Sequence, residues 1–140
     1  MKRIYYESWI AEVLLFFSYC ETITVGPWVF TKLKETEVPQ YVRNHECTHA
    51  RQWTEMTLLT GLLLLVAVLA WGVSAWWFLV IPLLYYLWYG VEYVVRLCIL
   101  RDGNKAYRAV SFEQEAYANE KYANYNENSA YFSWVKYLTE

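Results

Sequence analysis

The chain has 140 residues, of which 57% are hydrophobic, 20% aromatic and 19% charged, with a formal net charge of −2. That length holds one domain. Such apolar content excludes a disordered chain, and the absence of a basic balance argues against a nucleic-acid binder. Cys20, Cys47 and Cys98 are too few and too widely spaced for a disulfide framework, and no CxxC pair points to a structural zinc site.

Lys2 and Arg3 precede an apolar stretch, Trp9 to Cys20, that Glu12 interrupts. It is short against the roughly 20 residues of a membrane crossing, and it lacks a small-residue cleavage site. It is expected to form a helix that lies in the interface or packs on the rest of the chain. The segment TITVGPWVFTK, from Thr22 to Lys32, sets two β-branched and aromatic runs around Gly26-Pro27. That pattern predicts a short strand pair. The polar stretch LKETEVPQ follows, and its Pro39 sets up the next helix.

From Met56 to Val91 there is no charged residue. About 20 apolar residues suffice for one crossing, so this run predicts a transmembrane hairpin over about 53–99. The first crossing runs from about Trp53 to Trp71 and the second from about Ala75 to Ile99, with the turn at Gly72-Val73-Ser74. Trp71, Trp76 and Trp77 gather at the turn. Trp53, Tyr86, Trp88, Tyr89 and Tyr93 gather towards the other end, as interfacial belts do. Pro82 falls inside the second crossing and predicts a kink. The competing reading, a hairpin buried in a soluble oligomer, needs extensive cover from partner chains. Lys32, Lys34, Arg43 and Arg51 flank the hairpin on one side and Arg101, Lys105 and Arg108 on the other, while the turn has no Lys or Arg. The positive-inside rule then places both flanks and both termini in the cytoplasm, where cysteines stay reduced.

The only two histidines share one motif, His45-Glu46-Cys47-Thr48-His49, which reads HExxH. Residues four apart lie on one helix face, so both imidazoles can reach one Zn²⁺. Glu46, next along, leans over the open coordination position, where a carboxylate can act as general base. Cys47 points away and reads as packing, whereas Gln52 lies about one turn further along the histidine face. A catalytic zinc takes a third protein ligand. The segment Ser111-Phe112-Glu113-Gln114-Glu115-Ala116-Tyr117 is the best source, because Ser111 and Gln114 form a capping box that starts a helix. Glu113 stands in its first turn, where the bland reading is that an acidic residue complements the helix dipole.

HExxH on a helix, a membrane hairpin and then a Glu-bearing helix together resemble the membrane-embedded gluzincins, the CAAX prenyl protease and heat-shock membrane protease type. The HExxHxxQ form, His45 to Gln52, is also similar to minigluzincin-like domains. The resemblance covers about Thr22 to Glu120 and implies zinc held by His45, His49 and Glu113, the first Glu of an E-x-x-A-D pattern. Tyr117 stands where that pattern has Asp, which removes a group that would orient a ligand histidine. Glu115 is the alternative ligand, since Glu115 to Asn119 also reads E-x-x-A, with Asn in place of Asp.

Glu92 and Arg96 lie four apart and can pair, either to fix helix depth or to support the zinc site. Tyr107, Arg108 and Tyr117 are candidate oxyanion donors. The Asn-rich part of the tail reads as a helix break, and Tyr131 to Leu138 as a short amphipathic helix. The expectation is therefore a single domain over 1–140: a mainly α membrane protein with a transmembrane hairpin, a small zincin-like layer and a short strand pair. Its expected activity is zinc-dependent hydrolysis of peptide bonds near the cytoplasmic membrane surface, on peptide or membrane-protein substrates laid along the strand. The rival expectations are an inactive zinc-binding or structural subunit of a larger membrane complex, and a purely structural hairpin.

Overall fold

Two β-branched runs separated by Gly26-Pro27 close into a hairpin because Gly26 takes a φ of 61°, which only glycine adopts cheaply. Glycine first in a two-residue loop is the type II′ pattern whose twist suits paired strands. The computed structural model describes residues 4–139, so Lys2 and Arg3 lie outside the described residues. Strands β2 (Thr22–Val25) and β3 (Trp28–Thr31) pair antiparallel, Val25 opposite Trp28 and Thr22 opposite Thr31. The expected strand pair is a three-stranded sheet: β1 (Ile4–Tyr5) adds parallel to β3, in the order β1-β3-β2. A two-residue strand is too short to show periodicity, so its register comes from tertiary contact, including Tyr5 stacked on Phe30.

The apolar start of the chain yields only a six-residue helix, α1 (Trp9–Leu14), which packs against β3. Its Ala11 is buried, whereas Phe16, Phe17 and Tyr19 beyond it are exposed.

Helix α2 (Gln40–Trp71) is one unbroken run of 32 residues that begins after Pro39 and ends at Gly72, whose φ of 66° makes the left-handed cap. Its character changes along its length. Every buried residue of α2 lies between Asn44 and Glu55. Beyond Glu55 it exposes Leu58, Leu62, Leu65, Leu69 and Trp71.

The return path differs from a single helix over Ala75 to Ile99. A 3₁₀ turn (Ala75–Leu79) precedes α3 (Ile81–Leu100), and Pro82 sits in the first turn of α3 rather than kinking its interior. Proline costs nothing there, because a first-turn N–H has no helical partner to lose. Helix α3 is also staggered against α2. Ile81 packs against Gly61 rather than opposite Trp71, and Tyr85 Oη lies 3.3 Å from His49 Nδ1. Both helices are long and apolar enough to cross a membrane.

Helices α5 (Ser111–Asn119) and α6 (Tyr125–Asn128) fold back on α2, while α4 (Gly103–Arg108) packs against α3 and a last 3₁₀ stretch (Ser133–Thr139) against α5. Asp102 caps α4 through the N–H groups of Asn104 and Lys105. The Asn-rich stretch expected as a break forms α6. Its Asn126 receives the Thr48 hydroxyl at 3.1 Å and donates to the Asn44 carbonyl at 3.0 Å. Tyr85, Val110, Phe112 and Trp134 form the core, with the Phe112 and Trp134 rings 4.7 Å apart. The tail helix thus packs on the domain.

Candidate metal centre

The spacing of HExxH places His45 and His49 on the face of α2 that meets α5. Their Nε2 atoms lie 3.1 Å apart. Glu113 in the first turn of α5 completes the group: its Oε2 is 3.4 Å from His45 Nε2 and its Oε1 is 3.2 Å from His49 Nε2. The three residues could hold a metal ion. Donors about 2.0–2.1 Å from a tetrahedral zinc stand about 3.3 Å from one another, so the spacing fits that ion. Glu113 is 2% exposed, and its Oε2 is buried with no hydrogen-bond partner. A buried carboxylate oxygen without a hydrogen-bond partner beside two imidazoles suits a bound cation. Burial alone would raise the Glu113 carboxyl. Hydrogen bonds and charge from His45 and His49 outweigh it and hold the carboxyl well below its ordinary range.

The imidazoles are oriented from behind. Gln52, fully buried, has its Oε1 3.0 Å from His49 Nδ1, and its amide donates to Phe112 O at 3.1 Å and Glu115 Oε2 at 2.7 Å. An Nδ1–H donated to Gln52 would leave Nε2 of His49 available to a metal ion. His45 Nδ1 lies 3.3 Å from Glu120 Oε2. Glu120 caps the C-terminus of α5, one turn beyond Tyr117. Glu120 thus places a carboxylate beside His45 from three residues beyond Tyr117, while Tyr117 packs edge-on against His45 with ring centroids 4.6 Å apart. Sequence spacing does not point to Glu120, because its partnership crosses 75 positions.

Glu115 does another job. It is fully buried and pairs with the Arg51 guanidinium, Gln52 Nε2 and the Tyr125 hydroxyl, the last at 2.7 Å. Burial and the Glu115 charge push the Tyr125 phenol up to about 12, so it remains a donor. Arg51 also lies 3.4 Å from Glu55. It is therefore a buried cation held inside the fold.

Ser111 is the first residue of α5 rather than its cap, and Gln114 reaches back to Ala109 O. The helix start is held by Glu92, whose carboxylate accepts the Ser111 N–H at 2.9 Å and its hydroxyl at 2.7 Å. Arg96, 3.5 Å from Glu92, donates to the carbonyls of Tyr137 and Leu138. The pair ties α3 to the helix that carries Glu113.

Glu46 stands outside the metal-holding trio. The Thr24 hydroxyl donates to its Oε2 at 2.5 Å, which couples the candidate base to the exposed edge of the sheet. A cavity of about 270 Å³ opens here, lined by Glu46, both histidines, Glu113, Tyr89 and Tyr107 with the β2 backbone along one side. Tyr89 donates to Glu113 Oε1 at 3.0 Å. Burial and the Glu113 charge push the Tyr107 phenol well up, so Tyr107 is a standing donor in the wall. Arg108 lines neither this cavity nor its neighbour, and stacks 5.1 Å over the Tyr117 ring. Neither a protein-family model, nor a curated protein sequence, nor a solved structure matches this chain.

Proposed function

We propose that the protein is a zinc-dependent membrane metallopeptidase of the gluzincin type. The observation that carries this reading is the convergence of His45 Nε2, His49 Nε2 and the Glu113 carboxylate within 3.1–3.4 Å, beside a carboxylate that is not part of the trio. His45, His49 and Glu113 would hold the zinc, which when bound would supply Lewis acidity toward a peptide carbonyl and toward water. Glu46 takes the proton of the attacking water and returns it to the leaving amine, with Thr24 fixing the carboxylate between the two steps. Tyr107 donates to the carbonyl oxygen as charge develops on it. The substrate lies extended along β2, an edge strand of the sheet.

The uncharged length beyond Glu55 anchors the chain in the bilayer, and the site stands at the cytoplasmic surface with both termini. Lys32, Lys34, Arg43, Arg101, Lys105 and Arg108 mark that side. The test is zinc content and peptide hydrolysis of the full chain in detergent or nanodiscs against Glu46→Gln. The variant keeps wild-type zinc and loses about 10²- to 10⁴-fold in rate, the usual contribution of a general base. Wild type and variant equally inactive with zinc bound would replace the enzyme by a metal-holding subunit of a larger complex.

A further inference from the structure

The 270 Å³ cavity does not end at the metal-holding trio. A second cavity of about 450 Å³ shares Thr22, His45, Glu46 and Tyr107 in its wall. The two therefore adjoin at the site, as a groove past Thr22 whose far ends differ in chemistry. One end lies beside Tyr85, Tyr86 and Gly26. There the Gly26 N–H donates to Tyr86 Oη at 2.6 Å, and the Trp53 indole lies 3.6 Å from where a Gly26 side chain would begin. Trp53 stands two residues before Glu55, the last charged residue of α2. The other end lies beside Pro39 and Tyr41, at the polar start of α2, and its wall carries Glu21, Glu37 and Glu120. No Lys or Arg lines either cavity among the described residues.

We propose that the groove selects an extended juxtamembrane segment whose apolar residues lie at the Tyr85–Tyr86 end and whose Lys or Arg residues lie against Glu21, Glu37 and Glu120. This rests on the peptidase reading of the same site and adds the polarity of its substrate. A basic cytoplasmic flank is the common property of membrane-spanning segments, so the groove matches the place where a helix leaves the bilayer. The edge of β2 binds any extended backbone. Selection comes from the ends of the groove, with apolar contact at one and charge at the other.

The probes are fluorescent synthetic peptides with Leu and Phe on one side and Lys and Arg on the other, and twins in which Glu replaces the basic residues, each made in both chain directions. Binding is measured on zinc-loaded Glu46→Gln full chain in nanodiscs of zwitterionic lipid, and cleavage on wild type. The basic probe is expected to bind and to be cleaved about tenfold better at low salt, as a few exposed ion pairs provide. The gap closes as ionic strength passes about 0.15 M. A Glu21→Lys, Glu37→Gln double variant loses the preference. Both residues are exposed, and the Gln keeps an acceptor for the Lys34 N–H that Glu37 receives at 3.0 Å. Equal binding of the two probes, or a preference unchanged in the double variant, overturns the proposal. Glu46-dependent cleavage without charge preference overturns the groove polarity and leaves the peptidase. Charge-selective binding without any cleavage supports the polarity and removes the peptidase.

Discussion

Replacing Glu115 and Glu113 in turn separates structure from metal binding two residues apart on one helix. Glu115 is fully buried and receives the Arg51 guanidinium, Gln52 Nε2 at 2.7 Å and the Tyr125 hydroxyl at 2.7 Å. Glu115→Ala leaves a buried cation with only Glu55 beside it and strands two donors. Breaking a buried ion pair from one side costs about 3–5 kcal/mol. For a chain of this size that is a fall in melting temperature of roughly 6–20 °C, at about 2–4 °C per kcal/mol. Intrinsic Trp fluorescence during heating in detergent reads it, and Glu115→Gln, which keeps volume and one acceptor, is expected between wild type and Ala. Zinc remains stoichiometric in both, with affinity down about 10–100-fold because Gln52 is less firmly held behind His49. Glu113→Ala differs in that it loses stoichiometric zinc, because a metal-holding group is removed. The reasoning fails if Glu115→Ala melts with wild type. It fails equally if Glu115→Ala alone releases the metal, which would mean that α5 is rotated about its axis.

Thr24→Val removes the 2.5 Å hydrogen bond to Glu46 Oε2. Steady-state kinetics should show kcat down about tenfold with KM little changed, since positioning and not substrate contact is lost. The Glu113 carboxyl is held below its ordinary value of 4.5 by the two histidines. Its contribution to the metal-free fold is therefore present above about pH 4.5 and lost as acid is added. Acid titration of unfolding should show a shallower slope for Glu113→Gln. For topology, a cysteine at Ser74 in a Cys-free background should react with an impermeant reagent from outside intact cells, and one at Thr36 should not; the reverse pattern would overturn the orientation.

What the sequence discloses here is local. HExxH needs only the helical repeat to bring His45 and His49 together, Gly72 ends α2 because it tolerates a left-handed cap, and Gly26-Pro27 turns a hairpin at a point marked by β-branched neighbours. Glu113 is legible because two histidines demand a third ligand. Helical spacing marks Gln52 and the Glu92–Arg96 pair, but what the supports of the site touch is not legible, because each is a contact between distant segments. Glu120 reaches His45 from the end of α5, and Glu92 holds the start of α5 from α3. Arg51 looks like a flanking charge until Glu115 and Tyr125 close over it. The stagger of α3 is hidden for the same reason. Apolar runs announce that two helices meet, whereas Gly61 against Ile81 and Tyr85 against His49 decide at what height.

Because α2 carries the two histidines and the apolar length on a single uninterrupted helix of 32 residues, it works as a gauge. One residue inserted between His49 and Leu58 would lift the site about 1.5 Å from the bilayer and swing it about 100° around the axis. The histidines would then turn away from α5 and β2 together. An insertion at Val73 or Ser74, between the two helices, would leave height and heading unchanged. On the proposed peptidase reading, the depth at which a peptide would meet Glu46 is set by the residue count of one helix, and a change in that count would change the substrate register.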